Sequence, residues 1–143
     1  MVKRIFTVLG LLTVLGCQRD APKIGPAPRA RPSSGIITVN GEGGTHYRVK
    51  AGSQFEVRGS FKLDDPTKAM PGIVVEVMKV GSKGAVTMAS HTASLEKKDD
   101  SVEYNATLDA PKKPGDYTIV AKNGRYKEVI TVASAALTVE PND

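Results

Sequence analysis

Hydrophobic and polar residues alternate in short runs from Gly35 to the end of the chain, and glycine, proline, aspartate and lysine separate the runs. In one run Phe55, Val57 and Phe61 share a face, because successive side chains of a β-strand point to opposite sides of the sheet. The run from Gly72 to Val80 is apolar almost throughout, which is typical of a central strand covered on both faces. The pattern therefore predicts strands with buried faces.

The spacing of these runs predicts the fold class. No stretch of about a dozen residues has the apolar repeat of about 3.6 residues that an amphipathic helix needs, so we expect little helix. Roughly seven or eight strands, spaced about 8 to 14 residues apart, favour an all-β antiparallel sandwich. We expect Ile36–Val39 and His46–Val49 to form an opening pair and Ala85–Leu95 to be one strand. Asn123-Gly124 favours a two-residue hairpin loop before a last strand over Tyr126–Val139.

The segment Pro114-Gly115-Asp116-Tyr117 resembles the start of strand F in immunoglobulin-like domains. The resemblance implies a structural tyrosine corner. In such a corner Gly115 turns the chain, and the hydroxyl of Tyr117 bonds to upstream backbone within Asp109–Pro114.

Antibody-type domains carry two inter-sheet cysteines, whereas this chain has Val57 and Ile119 at those positions and contains no tryptophan. The sequence is similar instead to the disulfide-free immunoglobulin-like or fibronectin-like modules of bacterial surface proteins. The resemblance implies an immunoglobulin-like β-sandwich, with a transthyretin-like strand order as the alternative.

The first residues of the chain have a different pattern. Lys3 and Arg4 precede an apolar run of about 11 residues, which is typical of a secretory signal peptide and shorter than the roughly 20 residues of a membrane span. The run leads into Val14-Leu15-Gly16-Cys17, which resembles the lipobox of bacterial lipoproteins. The resemblance implies cleavage before Cys17 and lipidation of that residue. A lone thiol in an exported chain has no internal disulfide partner, which fits this interpretation.

The segment after the cysteine is rich in proline and basic residues and has almost no large apolar side chain. We expect a disordered, flexible linker, because such a composition buries too little apolar surface to fold. The predicted organisation is a signal peptide at 1–16, a linker at 17–34 and a sandwich at 35–143. Gln18 after the cysteine, rather than aspartate, resembles the pattern of lipoproteins sent to the outer membrane. The resemblance implies a lipid anchor at the outer membrane or cell surface, with the domain in the periplasm or outside.

The distribution of charge argues against nucleic-acid binding. The net charge of +5 arises in the signal peptide and linker, because 14 Lys and Arg are matched by 14 Asp and Glu from Gly35 onward. A nucleic-acid-binding domain needs a basic face to neutralise phosphates. We expect no nucleic-acid partner.

Few residues suggest a reactive or ligand-binding site. His46 and His91 fall on different predicted strands without metal ligands nearby, and the paired aspartates Asp64-Asp65 and Asp99-Asp100 are flanked by lysines. No nucleophile motif occurs, so we predict no catalytic residue, metal or cofactor, and no enzyme activity. Tyr47 and Tyr126 remain as possible exposed rings and therefore as possible ligand contacts; the alternative is that both rings edge the core.

Two functions remain as hypotheses. The first is a membrane-tethered, non-catalytic module that binds an unidentified envelope protein through loops or a sheet edge, or has a structural role in the cell envelope. The alternative is a small-ligand or glycan-binding module, which would use the exposed rings.

Overall fold

The structure of the protein is a computed structural model that describes residues 29–123 and 129–143. The predictions for the signal peptide, Cys17, Gln18, the first part of the linker and Tyr126 lie outside these residues. The described residues form strands and no helix. The strands are β1 (Ile36–Val39), β2 (Glu42–Gly43), β3 (His46–Lys50), β4 (Gln54–Lys62), β5 (Ile73–Gly81), β6 (Gly84–Thr92), β7 (Ser94–Lys98), β8 (Ser101–Asp109), β9 (Gly115–Asn123) and β10 (Thr131–Glu140).

Two five-stranded sheets pack as a sandwich, with strand orders β2-β1-β4-β8-β7 and β3-β10-β9-β5-β6. Every pair of neighbouring strands is antiparallel except β3 and β10, which are parallel. If β1, β4, β8 and β7 are named A, B, E and D, and β10, β9 and β5 are named G, F and C, the order is that of the immunoglobulin fold. The all-β sandwich is therefore confirmed, and its strand order is immunoglobulin-like.

The core lies between the sheets and follows the predicted alternation. The exception is β5, which was predicted to be covered on both faces: it buries Ile73, Val75 and Val77 on one face only, because no second layer of the described residues covers the other face. Val57 and Ile119, which occupy the positions of the inter-sheet cysteines, are both 0% exposed and join the sheets by apolar packing. The buried apolar residues of the first sheet are Ile37, Val39, Phe55, Val57, Phe61, Val102, Tyr104, Ala106 and Leu108. Those of the second are Tyr47, Val49, Ile73, Val75, Val77, Tyr117, Ile119, Ala121, Val132, Ala135, Leu137 and Val139.

The predicted number and pairing of strands are wrong in two places. The described residues contain ten strands, because the two-residue β2 forms within the predicted first turn and the predicted strand Ala85–Leu95 divides in two. β1 and β3 do not pair: β1 lies beside β4 in the first sheet, and β3 lies beside β10 in the second. The predicted strand Ala85–Leu95 divides at Ala93, whose buried side chain marks the crossing from β6 in one sheet to β7 in the other.

The predicted two-residue hairpin at Asn123 is also wrong. The last described strand begins at Thr131, which pairs with Lys122. Asn123 closes a longer connection, because its backbone N–H donates to the carbonyl of Ile130 at 3.0 Å and its side-chain oxygen accepts from the N–H of Ile130 at 2.6 Å. An asparagine held in this way is part of the loop closure and does not occupy the corner of a tight turn.

The last residues of the predicted linker belong to the folded domain. Ala30 is 2% exposed, and its N–H donates to the carbonyl of Ala69 at 2.8 Å. Pro32 forms a bridge with Leu63, and the N–H of Ser33 donates to the carbonyl of Lys62 at 2.8 Å. The buried and exposed positions alternate here as they do in a strand. The boundary predicted at 34 therefore moves upstream to the first described residues.

Candidate interaction site

Tyr117 has the geometry of a tyrosine corner. Its hydroxyl donates to the carbonyl of Lys113 at 2.7 Å, within the segment Asp109–Pro114 expected to supply the acceptor. Gly115 has a φ of 149°, a conformation that favours glycine. The ammonium of Lys79 lies 5.1 Å from the centre of the tyrosine ring. These contacts fix the start of β9, so we assign Tyr117 a structural role.

Tyr47 is buried, so of the two possibilities for its ring the structure shows the one in which it belongs to the core. The side chain is 5% exposed, and its hydroxyl lies 2.9 Å from the carbonyl oxygens of both Ile37 and Gly44. The ring faces inward because Tyr47 and Val49 share the buried side of β3. A ligand therefore cannot stack on this ring, and one of the two proposed ligand contacts is removed.

The histidines and paired aspartates do not converge. His46 Nε2 lies 2.7 Å from Thr138 Oγ1, which in turn donates to Asp116 Oδ1 at 3.0 Å, so these three side chains form a polar row on the surface. Among residues 29–123 and 129–143, no group of three His, Cys, Asp or Glu side chains is placed to hold a metal ion.

The carboxylate of Asp65 supports its own turn. It accepts bonds from the hydroxyl and the backbone N–H of Thr67 at 2.6 and 3.0 Å, and these bonds hold the pKa of Asp65 below its usual value. Its neighbour Asp64 accepts from the backbone N–H of Arg31 at 2.7 Å. Both carboxylates therefore have structural partners within the domain.

No helix in the described part of the chain is long and apolar enough to cross a membrane.

The free edges of the two sheets differ in how they discourage pairing with other strands. Native sheets commonly use short strands and charged side chains for this purpose. Of the four edge strands formed by the described residues, β2 has two residues, β3 carries Arg48 and Lys50, and β7 carries Glu96, Lys97 and Lys98. Three edges are thus protected by length or charge.

The fourth edge, β6, has neither protection. Its nine residues, Gly84–Thr92, include no Lys, Arg, Asp, Glu or Pro. Val86 and Met88 are exposed by 61% and 48%, and Val80 at the adjoining end of β5 by 71%. One bulge interrupts the strand, because the pairing with β5 skips Met88. β6 is therefore the edge that neither charge nor short length keeps from accepting another strand, and its bulge restricts which strands can pair with it.

Surface grooves lie beside the β6 and β7 edges. One, of about 580 Å³, runs beside β6 and is lined by residues 88–91 and 107–113. The other, of about 730 Å³, crosses the outer face of the first sheet and is lined by Ile36, Thr38, Arg58, Gly59, Ser60, Ser94, Leu95, Glu96, Glu103, Tyr104 and Asn105. The aromatic residue in this set, Tyr104, is 2% exposed. The groove therefore offers hydrogen-bonding groups without an accessible ring.

No protein-family model and no curated protein matches the chain. Among solved structures it is similar to the alkylpurine DNA glycosylase AlkC of Pseudomonas fluorescens bound to DNA containing an abasic site analog, with 10% identity and a TM-score of 0.39, over 78% of this chain and 30% of that one. It is also similar to AggA, the major subunit of aggregative adherence fimbriae type I of Escherichia coli, with 13% identity and a TM-score of 0.31, over 82% of this chain and 99% of that one. Neither similarity assigns a function.

The sequence contains a signal for the β6 edge that the alternation pattern does not reveal. The chain is 24% charged overall, yet Gly84–Thr92 contains no charged residue. Almost every position in β6 is exposed, so the strand has no buried face to detect. The absence of charge from a run that does not alternate is the feature that identifies this edge.

Proposed function

We propose that this chain is a lipid-anchored protein of a bacterial envelope, and that its sandwich is a non-catalytic module that binds a protein partner by strand addition at β6. The observation that carries the proposal is the uncharged, nine-residue edge of β6 beside three protected edges. In strand addition, main-chain hydrogen bonds supply affinity and side chains on alternate positions supply specificity.

The partners of the polar side chains support a binding role rather than a catalytic one. The histidine at position 46 and the carboxylates of Asp64 and Asp65 bond to groups that shape the domain. Within the described ranges, no buried side-chain nitrogen or oxygen lacks a partner. An active site commonly leaves a nucleophile, a base or a perturbed acid facing a cleft.

The proposed anchor is Cys17, on the strength of the lipobox resemblance and of the chain path at the start of the domain. Residue 29 is already bonded to the sandwich through its bridge with Ala69, so twelve residues, 17 to 28, remain for the tether. At about 3.1 Å per residue an extended tether would reach roughly 37 Å. The domain would therefore stand within a few nanometres of the membrane surface.

A photo-crosslinking scan of the sheet edges tests the proposed function. A photoreactive residue is placed at Thr87 on β6 or, as the matched control, at Ser94 on the charged edge β7, in the full chain expressed in cells; both positions are exposed. We expect a discrete protein adduct from position 87 and little from position 94. Equal labelling at the two positions, or no protein adduct at position 87, would contradict strand addition.

A further inference from the structure

We propose that the strand added at β6 is β6 of a second copy of this chain, so that two copies form a symmetric dimer; this inference rests on the proposed function. Symmetric pairing of identical strands around a two-fold axis is antiparallel and places one residue of the strand opposite itself; in the central register this is the middle residue. The charge and shape of each edge strand therefore decide whether it can pair with its own copy.

Like charges or short length disfavour the pairing of each other edge with its own copy. In the central register β3 would place Arg48 opposite Arg48, and β7 would place Glu96 opposite Glu96. Like charges directly opposite each other in a ladder are destabilising. β2 is two residues long and provides no ladder of useful length. β6 contains no Lys, Arg, Asp or Glu, so no register of β6 against β6 creates a pair of like carboxylates or ammonium groups.

The bulge favours a second copy over an unrelated strand. It lies at Met88, the middle residue of Gly84–Thr92, and it divides the strand into two four-residue halves that keep regular pairing with β5. A bulge bends and twists the edge, which discourages pairing with a regular strand. A second copy carries the same bulge at the same place, so antiparallel pairing centred on Met88 brings the two irregularities together.

The exposed apolar side chains supply the contact that such a dimer needs. Val86 and Met88 are 61% and 48% exposed on the same short strand. Pairing would cover both of them in each copy, and removal of apolar surface from water favours association. A ladder of this length is a small interface, so we expect weak, concentration-dependent dimers. Confinement of anchored copies to one membrane would raise their effective concentration.

Sedimentation velocity over a concentration series tests the inference. The full chain carrying Cys17→Ser, purified in detergent, is compared with the same chain carrying Val86→Lys, or Ser94→Lys on β7 as the matched control. We expect the parent and the control to dimerise with similar affinity. Val86→Lys replaces an exposed apolar side chain with a charge on both strands of the interface, and we expect it to raise the dimer dissociation constant by at least about tenfold. Thermal melting of each variant checks that the exposed substitutions leave the fold intact.

A disulfide test gives an independent readout of the same dimer. With Cys17 replaced, Met88→Cys provides a single thiol that meets its own copy at the two-fold axis, whereas Arg48→Cys provides one at the middle of the β3 edge. We expect rapid oxidation of the first to a covalent dimer and slow oxidation of the second.

The outcomes separate the inference from the proposed function. A protein that stays monomeric and forms no disulfide, while position 87 still crosslinks to a different protein, would overturn the second-copy inference and leave strand addition standing. A dimer that is unaffected by Val86→Lys would also overturn it. If position 87 in addition gives no adduct in cells, the proposed function falls as well.

Discussion

Gly59 and Tyr104 lie directly opposite each other in the ladder between β4 and β8, and the tyrosine side chain fills the space above the glycine. The hydroxyl of Tyr104 donates to the carbonyl of Ile36 at 2.9 Å, so the side chain reaches across β4 to β1. The ring also lies near Phe61, with their centroids 6.2 Å apart. A missing side chain on one strand thus allows an aromatic side chain to join three strands.

Gly59→Ala should destabilise the domain. A methyl group at position 59 would overlap the hydroxyl and ring of Tyr104 and the backbone carbonyl of Ile36. We expect a loss of about 1–3 kcal/mol in the free energy of unfolding, because the carbonyl cannot move without disturbing the ladder. Urea denaturation measures the loss. Gly43→Ala is the matched control, since nothing lies within 4 Å of a methyl group there; equal stability of the two variants would contradict the packing described.

Tyr104 should make stability fall at alkaline pH. Burial, with a smaller effect from Tyr47, raises the pKa of the Tyr104 hydroxyl above its usual range. The unfolded chain, with a tyrosine pKa of about 10, therefore loses this proton first. The stabilisation is complete below that pH and declines as the pH rises above it. We expect Tyr104→Phe to show a smaller decline in urea denaturation across an alkaline series, and identical pH profiles would refute this role.

Tyr117→Phe tests the tyrosine corner. The substitution keeps the ring beneath the ammonium of Lys79 and removes the bond to the Lys113 carbonyl. We expect unfolding to become easier by about 1 kcal/mol, the usual contribution of such a bond. Lys79→Met, which removes the ammonium and keeps the bond, should cost about 0.5 kcal/mol. The corner would lose its assigned role if the phenylalanine variant unfolded at the same urea concentration as the parent.

Among the ion pairs described, the pair of Glu76 and Lys122 should contribute most to the free energy of unfolding. Their charged atoms lie 2.8 Å apart, and their side chains are only 14% and 26% exposed. Glu76→Gln should reduce stability by about 1–2 kcal/mol, because Lys122 then keeps its charge in a partly buried place without its partner. The same type of change at Glu103, whose pair with Lys98 is half exposed, should have no measurable effect. A double-mutant cycle with Lys122→Met checks that the effect belongs to the pair.

The sequence predicts buried faces well and sheet membership poorly. Phe55 and Val57 alternate with polar residues, so local periodicity is enough to place them in the core. Tyr47 also alternates with the polar residues His46 and Arg48. The same periodicity therefore predicts that its ring points inward, as it does in the structure. The period of two is therefore enough to favour the core over an exposed ligand contact for this ring.

The remaining features depend on contacts between distant parts of the chain. β3 joins β10 across the second sheet, a pairing of segments about 90 residues apart that no local pattern specifies. Ala30 is buried against the loop at Ala69, although the neighbouring residues in the sequence have the composition of a linker. The open edge of β6 likewise becomes visible only when the protection of the other three edges is known.

Attachment of the sandwich to a membrane through its N-terminus is the central claim, because the proposed tether and the raised effective concentration of the β6 edges both depend on it. Intact-mass spectrometry of the protein purified from the envelope of the cells that make it tests this claim most directly. We expect a mature chain that begins at Cys17 and carries the added mass of acyl chains. A chain that retains Met1 and has a free thiol at position 17 would contradict the claim.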